Sequence, residues 1–132
     1  MHELKRNDLL YPELSFKIVG CAFEVHNALG FGFKESIYQK ALSLALTEKG
    51  LSFKEQVCFE IKFKEQVLAK RFFDFIIEDK IIVEIKRDDK FSKANIDQTV
   101  EYLRTSDLKL AILINFGKEG VVYKRLINPS NN

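Results

Sequence analysis

The sequence predicts a single α/β domain in which a mixed β-sheet is flanked by helices. Apolar residues recur every three or four positions near the start of the chain, alternate with charged residues in the middle, and form dense runs in the second half. These patterns are typical of amphipathic helices, half-buried strands and central strands, respectively. We therefore expect the order helix, helix, three or four antiparallel strands, helix and two strands.

End signals bound the predicted helices. The first is expected from Glu13 to Leu29, with Gly30 to end it, and the second from about Lys34 to Lys49, with Gly50 as its stop. A third helix is expected from Ser92 to Ser106, with its first residue as the N-cap.

The strands are predicted from Ser52 onwards, where apolar and charged residues alternate. The pentapeptide FKEQV occurs at 53–57 and again at 63–67, which we attribute to convergent strand composition. The runs RFFDFII and KIIVEIK, joined by Glu78 to Lys80, predict a tight hairpin of central strands. Lys109 to Phe116 is predicted as a buried strand and Val121 to Ile127 as the last strand.

Length and composition narrow the class of protein. A chain of 132 residues with 46% hydrophobic and 30% charged residues is expected to form one domain, with an ordered core from about residue 13 to 127. A formal charge of +2 gives no strong footprint for nucleic acid or membrane. Cys21 and Cys58 lack metal-type spacing and predict two reduced core thiols in a cytoplasmic protein. No apolar run is long enough to span a membrane.

The predicted hairpin brings together three charged residues. A three-residue loop at Glu78 to Lys80 places Asp74 opposite Glu84, with Cβ atoms about 4.5–5.5 Å apart. Lys86 shares the face of Glu84, because side chains two positions apart in a strand point the same way. The apolar residues are expected to point to the other face, and they are Phe73, Phe75, Ile77, Ile81, Val83 and Ile85.

Two opposed carboxylates repel each other, so something must neutralise them. A divalent cation does so, and hard oxygen ligands suit Mg²⁺ or Mn²⁺. Such an ion lowers the pKa of its bound water, and Lys86 is placed to assist attack of that water on a phosphate.

The residues of this hairpin carry a resemblance. The segments FFDF and VEIK, with Asp74 followed by Glu84-Ile85-Lys86, resemble the signature of the PD-(D/E)xK nucleases, although Phe73 stands where the signature has proline. The segment from Gly32 to Tyr38 resembles the signature of the GxxExxY proteins, which are classed as PD-(D/E)xK-like, and the likeness extends from about Ile18 to Ile127.

The resemblance implies a Mg²⁺-dependent nuclease with a PD-(D/E)xK-like core. Asp74, Glu84, Glu35 and the carbonyl of Ile85 would hold the metal, and Lys86 would assist catalysis. Gln98 and Tyr102 resemble the Q-x-x-x-Y motif that follows the hairpin in the RecB-like branch, and they would share a helix face near the site. Further supporting or nucleic-acid-binding residues would be Tyr38, Arg87 and Lys93.

The resemblance and the basic residues indicate which binding partners to expect. DNA is expected in preference to RNA, with a possible homodimer or accessory protein and no membrane. The basic residues near the site could contact phosphates, and they are Lys86, Arg87, Lys90, Lys93 and Arg104.

Simpler interpretations remain open from the sequence. Asp74 and Glu84 could be surface charges with Lys86 as an ion-pair partner, and Glu35 could only stabilise a helix N-terminus. Glu24 and His26 form a second candidate pair, although His26 fits a structural role. The whole domain could instead be a catalytically silent nucleic-acid-binding module, or a structural protein.

Overall fold

The structure is a computed structural model, and it describes residues 10–88 and 91–129. Three helices and five strands follow one another in the predicted order. They are α1 (Pro12–Leu29), α2 (Glu35–Glu48), β1 (Phe53–Phe63), β2 (Gln66–Ile77), β3 (Ile81–Lys86), α3 (Lys93–Thr105), β4 (Leu110–Gly117) and β5 (Gly120–Ile127).

The five strands form one mixed sheet in the order β1-β2-β3-β4-β5. Neighbouring strands are antiparallel except β3 and β4, which run parallel, so the chain must cross from one end of the sheet to the other between them. Helix α3 makes that crossing. The predicted α/β class with a mixed sheet between helices is confirmed.

Each face of the sheet has its own apolar core. The larger core lies between one face and the helices α1 and α2, and it includes Ile18, Leu42, Phe75, Val83 and Ile114. The smaller core lies against α3 and contains Phe73, Ile82, Tyr102, Leu103 and Ala111. Because both faces are covered, β4 is buried along its whole length, which explains its continuous apolar run.

The predicted helix ends are confirmed to within about a residue. Gly30 has a φ of 76° and Gly50 a φ of 77°, a backbone conformation that glycine adopts without steric cost. Ser92 caps α3, and its Oγ accepts a hydrogen bond from the amide N–H of Asn95 at 3.1 Å.

Two sequence expectations at the outer strands are wrong. The second FKEQV copy does not lie within one strand, because Lys64 and Glu65 form the β1–β2 turn with positive φ values of 50° and 68°. Cys58 is a free thiol, as predicted, but it is exposed rather than in the core, and its partner in β2, Phe72, is exposed as well. Cys21 is free and buried.

None of the described helices combines the length and apolar character needed to cross a bilayer.

Candidate active site

The β2–β3 hairpin is regular near its turn and opens further on. Phe75 pairs with Val83 and Ile77 with Ile81, which is the register predicted from a three-residue loop. The backbone ladder between the two strands stops at Phe75 and Val83. Beyond that point β3 continues to pair with β4 as far as Lys86, so the split lies between β2 and β3.

Two carboxylates bridge the split. The amide N–H of Asp74 donates to Glu84 Oε1 at 2.7 Å, and the amide N–H of Ile85 donates to Asp74 Oδ2 at 2.8 Å. Each carboxylate thus takes the place of a backbone acceptor on the opposite strand. Asp74 and Glu84 are adjacent, as the hairpin register predicts.

A second opening lies on the other side of Asp74, in the β1–β2 ladder. Glu55 pairs with Phe75 and Val57 with Phe73, but no backbone pair joins the residues between them. Gln56 occupies this position in β1 with a φ of 48°, a left-handed conformation that is uncommon outside glycine.

This irregularity corrects the predicted face of Phe73. Phe75 packs in the core beneath α1 and α2, whereas Phe73 packs in the α3 core, with its ring centroid 4.0 Å from that of Tyr102. Simple alternation would place both on one face. Phe53 and Phe59 of β1 also pack against different cores although they are six residues apart, so the alternation breaks in both strands across the gap between Gln56 and Asp74.

The surroundings of Glu84 disfavour the ionised form of its carboxyl group. Burial raises the pKa of Glu84 to about 8, and the nearby charge of Asp74 adds to the rise. The hydrogen bond from the Asp74 amide and the positive charge of Lys86 act in the opposite direction but do not cancel it. A surface salt bridge, the simpler interpretation, would instead stabilise the ionised carboxylates.

Lys86 is half-buried at the end of β3, and its charge lowers the pKa of both Glu84 and Glu35. Among the described residues, no carboxylate lies within 4 Å of its ammonium group. Lys86 is therefore close enough to affect the pKa of both Glu84 and Glu35 without forming a salt bridge with either.

Asn115 stands beside Lys86 in β4 and was missed by sequence reasoning. It is fully buried, and its amide donates to the carbonyl of Asp88, which anchors the chain that follows β3. Its Oδ1 is buried without a hydrogen-bond partner among the described residues. The signal was present in the sequence, since a polar residue inside the run KLAILINF needs a reason to be there.

Glu35 begins α2 and lines the same pocket as Asp74 and Ile85. The pocket has a volume of about 400 Å³. Desolvation raises the pKa of Glu35, the charges of Asp74 and Asp88 raise it further, and Lys86 opposes the rise. The predicted proximity of Glu35 to the hairpin site is therefore seen, although its position at a helix start also suits the helix dipole.

The donor set fits a hard divalent cation. Asp74 and Glu84 offer carboxylate oxygens, and burial beside the charge of Asp74 raises the pKa of Glu84, an effect that a bound cation would oppose. Within residues 10–88 and 91–129, no cluster of three or more His, Cys, Asp or Glu side chains is poised to bind metal.

The two tyrosines predicted as supporting residues both make their contacts within the apolar cores. Tyr38 is fully buried, stacks on Phe116 with centroids 4.5 Å apart, and donates its hydroxyl hydrogen to the Gly30 carbonyl at 2.5 Å. Tyr102 packs between Phe59 and Phe73 in the α3 core. Gln98, by contrast, is exposed, and the joint approach of Gln98 and Tyr102 to the site stays a prediction.

The remaining candidate residues are dispersed. Lys93 is exposed and pairs with Asp97 at 2.7 Å, so its charge is partly neutralised. Arg87 is half-buried next to the site, and its Nε is buried without a hydrogen-bond partner among the described residues. Arg104 is exposed at the end of α3, and Lys90 lies outside the described residues.

Glu24 and His26 do not form a site. His26 makes a 2.8 Å hydrogen bond from Nε2 to the Gly117 carbonyl and stacks against Phe116, which ties α1 to the end of β4. Glu24 is exposed. The structural interpretation of His26 is the one that its contacts support.

A larger groove of about 690 Å³ lies between α1 and β5. Its lining includes Phe16, Val19, Phe23 and Tyr123 and contains no carboxylate. The chemistry therefore points to the smaller pocket at the hairpin, despite the greater size of this groove.

Comparisons with known proteins agree with the observed fold. The crystal structure of SSO0001 is similar to this chain, with a TM-score of 0.50 and 20% sequence identity over 94% of this chain. This chain spans 60% of the length of that one, and at such identity the likeness concerns the fold alone. No curated protein matches the chain. The family model described as the PD-(D/E)XK nuclease superfamily matches residues 12–126, and the chain belongs to that superfamily.

Proposed function

We propose that this protein is a metal-dependent nuclease that hydrolyses phosphodiester bonds in nucleic acid, in DNA rather than RNA. The observation that carries the proposal is the split between β2 and β3, where backbone amides hold Asp74 and Glu84 together although the two groups repel each other when both are ionised. Membership of a nuclease superfamily supports it. The segment from Gly32 to Tyr38 further supports placing the chain among the GxxExxY proteins.

In the proposed site, Asp74, Glu84 and the Ile85 carbonyl would hold Mg²⁺ or Mn²⁺, and Glu35 would act through water. When bound, the ion supplies the positive charge that acidifies water and polarises the phosphate. The ammonium of Lys86 donates hydrogen bonds to the attacking water or to the phosphate oxygens, where negative charge develops. The oxygen of the attacking water bonds to phosphorus as the water loses a proton to the solvent, the bond from phosphorus to one sugar oxygen breaks, and that oxygen takes up a proton from the solvent.

A few basic residues around the site suit a polyanionic substrate. Lys86 and Arg87 lie at the end of β3, and Lys40 lines the pocket beside Glu35. Basic groups placed around an acidic site can hold phosphates on either side of the cleaved bond. Two free cysteines support a cytoplasmic protein, and a homodimer or an accessory protein would supply the extra contact surface that a small domain lacks.

The direct test is cleavage of supercoiled, linear, single-stranded and branched DNA, and of RNA, with Mg²⁺, Mn²⁺ or EDTA. We expect metal-dependent cleavage that is lost in Glu84→Gln and Lys86→Met. Glu119→Gln and Lys118→Met are matched controls, since both residues are exposed in the β4–β5 turn. Cleavage that persists in EDTA, or that survives Glu84→Gln, would contradict the proposal.

A second candidate function is binding of nucleic acid without turnover. The observation that favours it is the lack of a cluster of three or more potential metal-ligating side chains in the described part of the chain. It predicts that DNA binding is insensitive to EDTA and that Glu84→Gln leaves the affinity unchanged or higher. Metal-dependent cleavage by the wild type would exclude it.

A further inference from the structure

We propose that Gln56 is a positioning residue that fixes the carboxylate of Asp74. This inference rests on the proposed function, because it assigns a role in the same site to a residue outside the recognised motifs. It begins with the hydrogen bonds that surround Asp74.

All of the polar groups of Asp74 have partners. Its N–H donates to Glu84 Oε1, and its Oδ2 accepts from the Ile85 amide. Its backbone carbonyl accepts from Gln39 Nε2 at 3.2 Å, and its Oδ1 accepts from Gln56 Nε2 at 3.3 Å. The two glutamine amides thus supply contacts that a regular β1–β2 ladder would not provide.

The backbone of Gln56 shows that this arrangement is costly. Its φ of 48° lies in the left-handed region in the middle of an 11-residue strand, between Glu55 and Val57, which both pair with β2. A residue in that conformation is strained unless it is glycine, and such strain is found where function depends on it. Glycine would relieve the strain but would have no side chain to reach Asp74.

The other positive φ values in nearby strands have an evident local cause. Lys64 and Glu65 form the β1–β2 turn, and Glu78 and Asp79 form the β2–β3 turn. Gln56 lies in no turn, and its side chain extends to the carboxylate on which the proposed site depends. The geometry therefore links the strained backbone to the orientation of Asp74.

Gln39 completes the arrangement from the helical side. Its Nε2 also donates to Glu55 Oε1 at 3.0 Å, so it connects α2 to both β1 and β2 beside the opening between those two strands. It contacts the backbone of Asp74 rather than its carboxylate. Gln56 is consequently the residue whose side chain acts on the carboxylate itself.

The experiment compares Gln56→Gly with Lys64→Gly, which relieves a positive φ at the remote turn. We expect both changes to raise the Tm of the metal-free protein, because glycine adopts a positive φ without steric cost. Only Gln56→Gly should weaken Mn²⁺ binding and hydrolysis, by about 10-fold to 100-fold, which is the usual effect of losing a partner of a metal-ligating side chain. Mn²⁺ affinity is measured by calorimetry and Tm by differential scanning calorimetry.

Two further readouts separate this proposal from the proposed function. In crystals of metal-free Gln56→Gly, the Asp74 carboxylate should be displaced or disordered, while in Lys64→Gly it should keep its contacts to Ile85 and Glu84. Gln56→Met, which keeps the length of the side chain but cannot donate a hydrogen bond to Asp74, should weaken Mn²⁺ binding as Gln56→Gly does.

The outcomes are distinct. A Gln56→Gly protein with an unmoved Asp74 and wild-type Mn²⁺ affinity would overturn the positioning role. A parallel loss of Tm and affinity would show a merely structural residue and would overturn it as well. If the wild type binds no Mn²⁺ and cuts nothing, the proposed function fails, and the position of Asp74 in the crystals still decides the role of Gln56.

Discussion

Near its turn the β2–β3 hairpin is a regular ladder of buried apolar residues, whereas at Asp74 and Glu84 the same two strands are joined by side-chain carboxylates. In the first half, backbone groups bond to each other and side chains fill the core. In the second half, backbone amides are left over and hold two acids in place. The half near the turn stabilises the fold, whereas the half at Asp74 and Glu84 lowers the stability of the folded state in order to hold two acidic groups together.

The largest difference between the halves is expected in catalysis. Asp74→Asn keeps an oxygen that can accept the Ile85 amide hydrogen but removes the charge, so we expect hydrolysis to fall by about 10³-fold. The Tm should stay close to that of the wild type, because no cavity forms. Single-turnover cleavage rates and thermal melts of the same preparation measure both effects. A variant with near wild-type rates would remove Asp74 from the proposed site.

The next largest effect is expected on stability, in the regular half. Phe75→Ala empties a fully buried position beneath α1 and α2, and the free energy of unfolding should fall by about 3–5 kcal/mol. Phe72→Ala is a matched control in the same strand, since Phe72 is 57% exposed, and it should cost far less. Urea unfolding measures both. Equal losses of unfolding free energy would contradict the burial of Phe75 and the exposure of Phe72.

The pH dependence of stability sharpens the comparison. The pKa of Glu84 is about 8 in the folded protein, against 4.5 in the unfolded chain. Between these values the folded state keeps a proton that the unfolded state has lost, so raising the pH destabilises the fold. The slope contributed by Glu84 is at most about 1.4 kcal/mol per pH unit.

Glu84→Gln should remove this contribution and be more stable than the wild type at pH 8, with little difference at pH 4. Urea midpoints of the metal-free proteins across this range give the slope. A variant that is destabilised equally at all pH values would contradict a protonated Glu84.

The smallest effect is expected at Tyr38, which the sequence placed in the site and the structure places in the core. Tyr38→Phe keeps the stack on Phe116 and loses both the hydrogen bond donated to the Gly30 carbonyl and the longer one accepted from the Phe33 amide at 3.4 Å, so it should cost about 1 kcal/mol. Cleavage rates should remain within about twofold of the wild type, which is well under 1 kcal/mol in activation free energy. A large loss of activity with unchanged stability would give Tyr38 a role at the site itself.

Much of the fold follows from local pattern. The helix ends at Gly30 and Gly50, the Ser92 cap and the hairpin register were all predictable, because each depends on residues close together in the chain. The adjacency of Asp74 and Glu84 follows from that register.

What could not be predicted depends on departures from regular geometry. The position of Phe73 in the α3 core accompanies the break in the β1–β2 ladder at Gln56, and nothing in FKEQV signals the left-handed backbone there. The burial of Tyr102, with Gln98 left exposed, depends on how α3 rotates against the sheet, which helical spacing alone does not fix. The exposure of Cys58 depends on how far the helices extend over the outer strands.

The most direct test of a cation site between Asp74 and Glu84 is calorimetric titration of Mn²⁺ at pH 7 in buffers of different ionisation enthalpy. A carboxyl with a pKa of about 8 is protonated at this pH and must lose its proton to bind metal. The account predicts release of about one proton per ion at pH 7 and much less at pH 9, and no comparable binding by Glu84→Gln. Binding without proton release, or equal binding by Glu84→Gln, would contradict it.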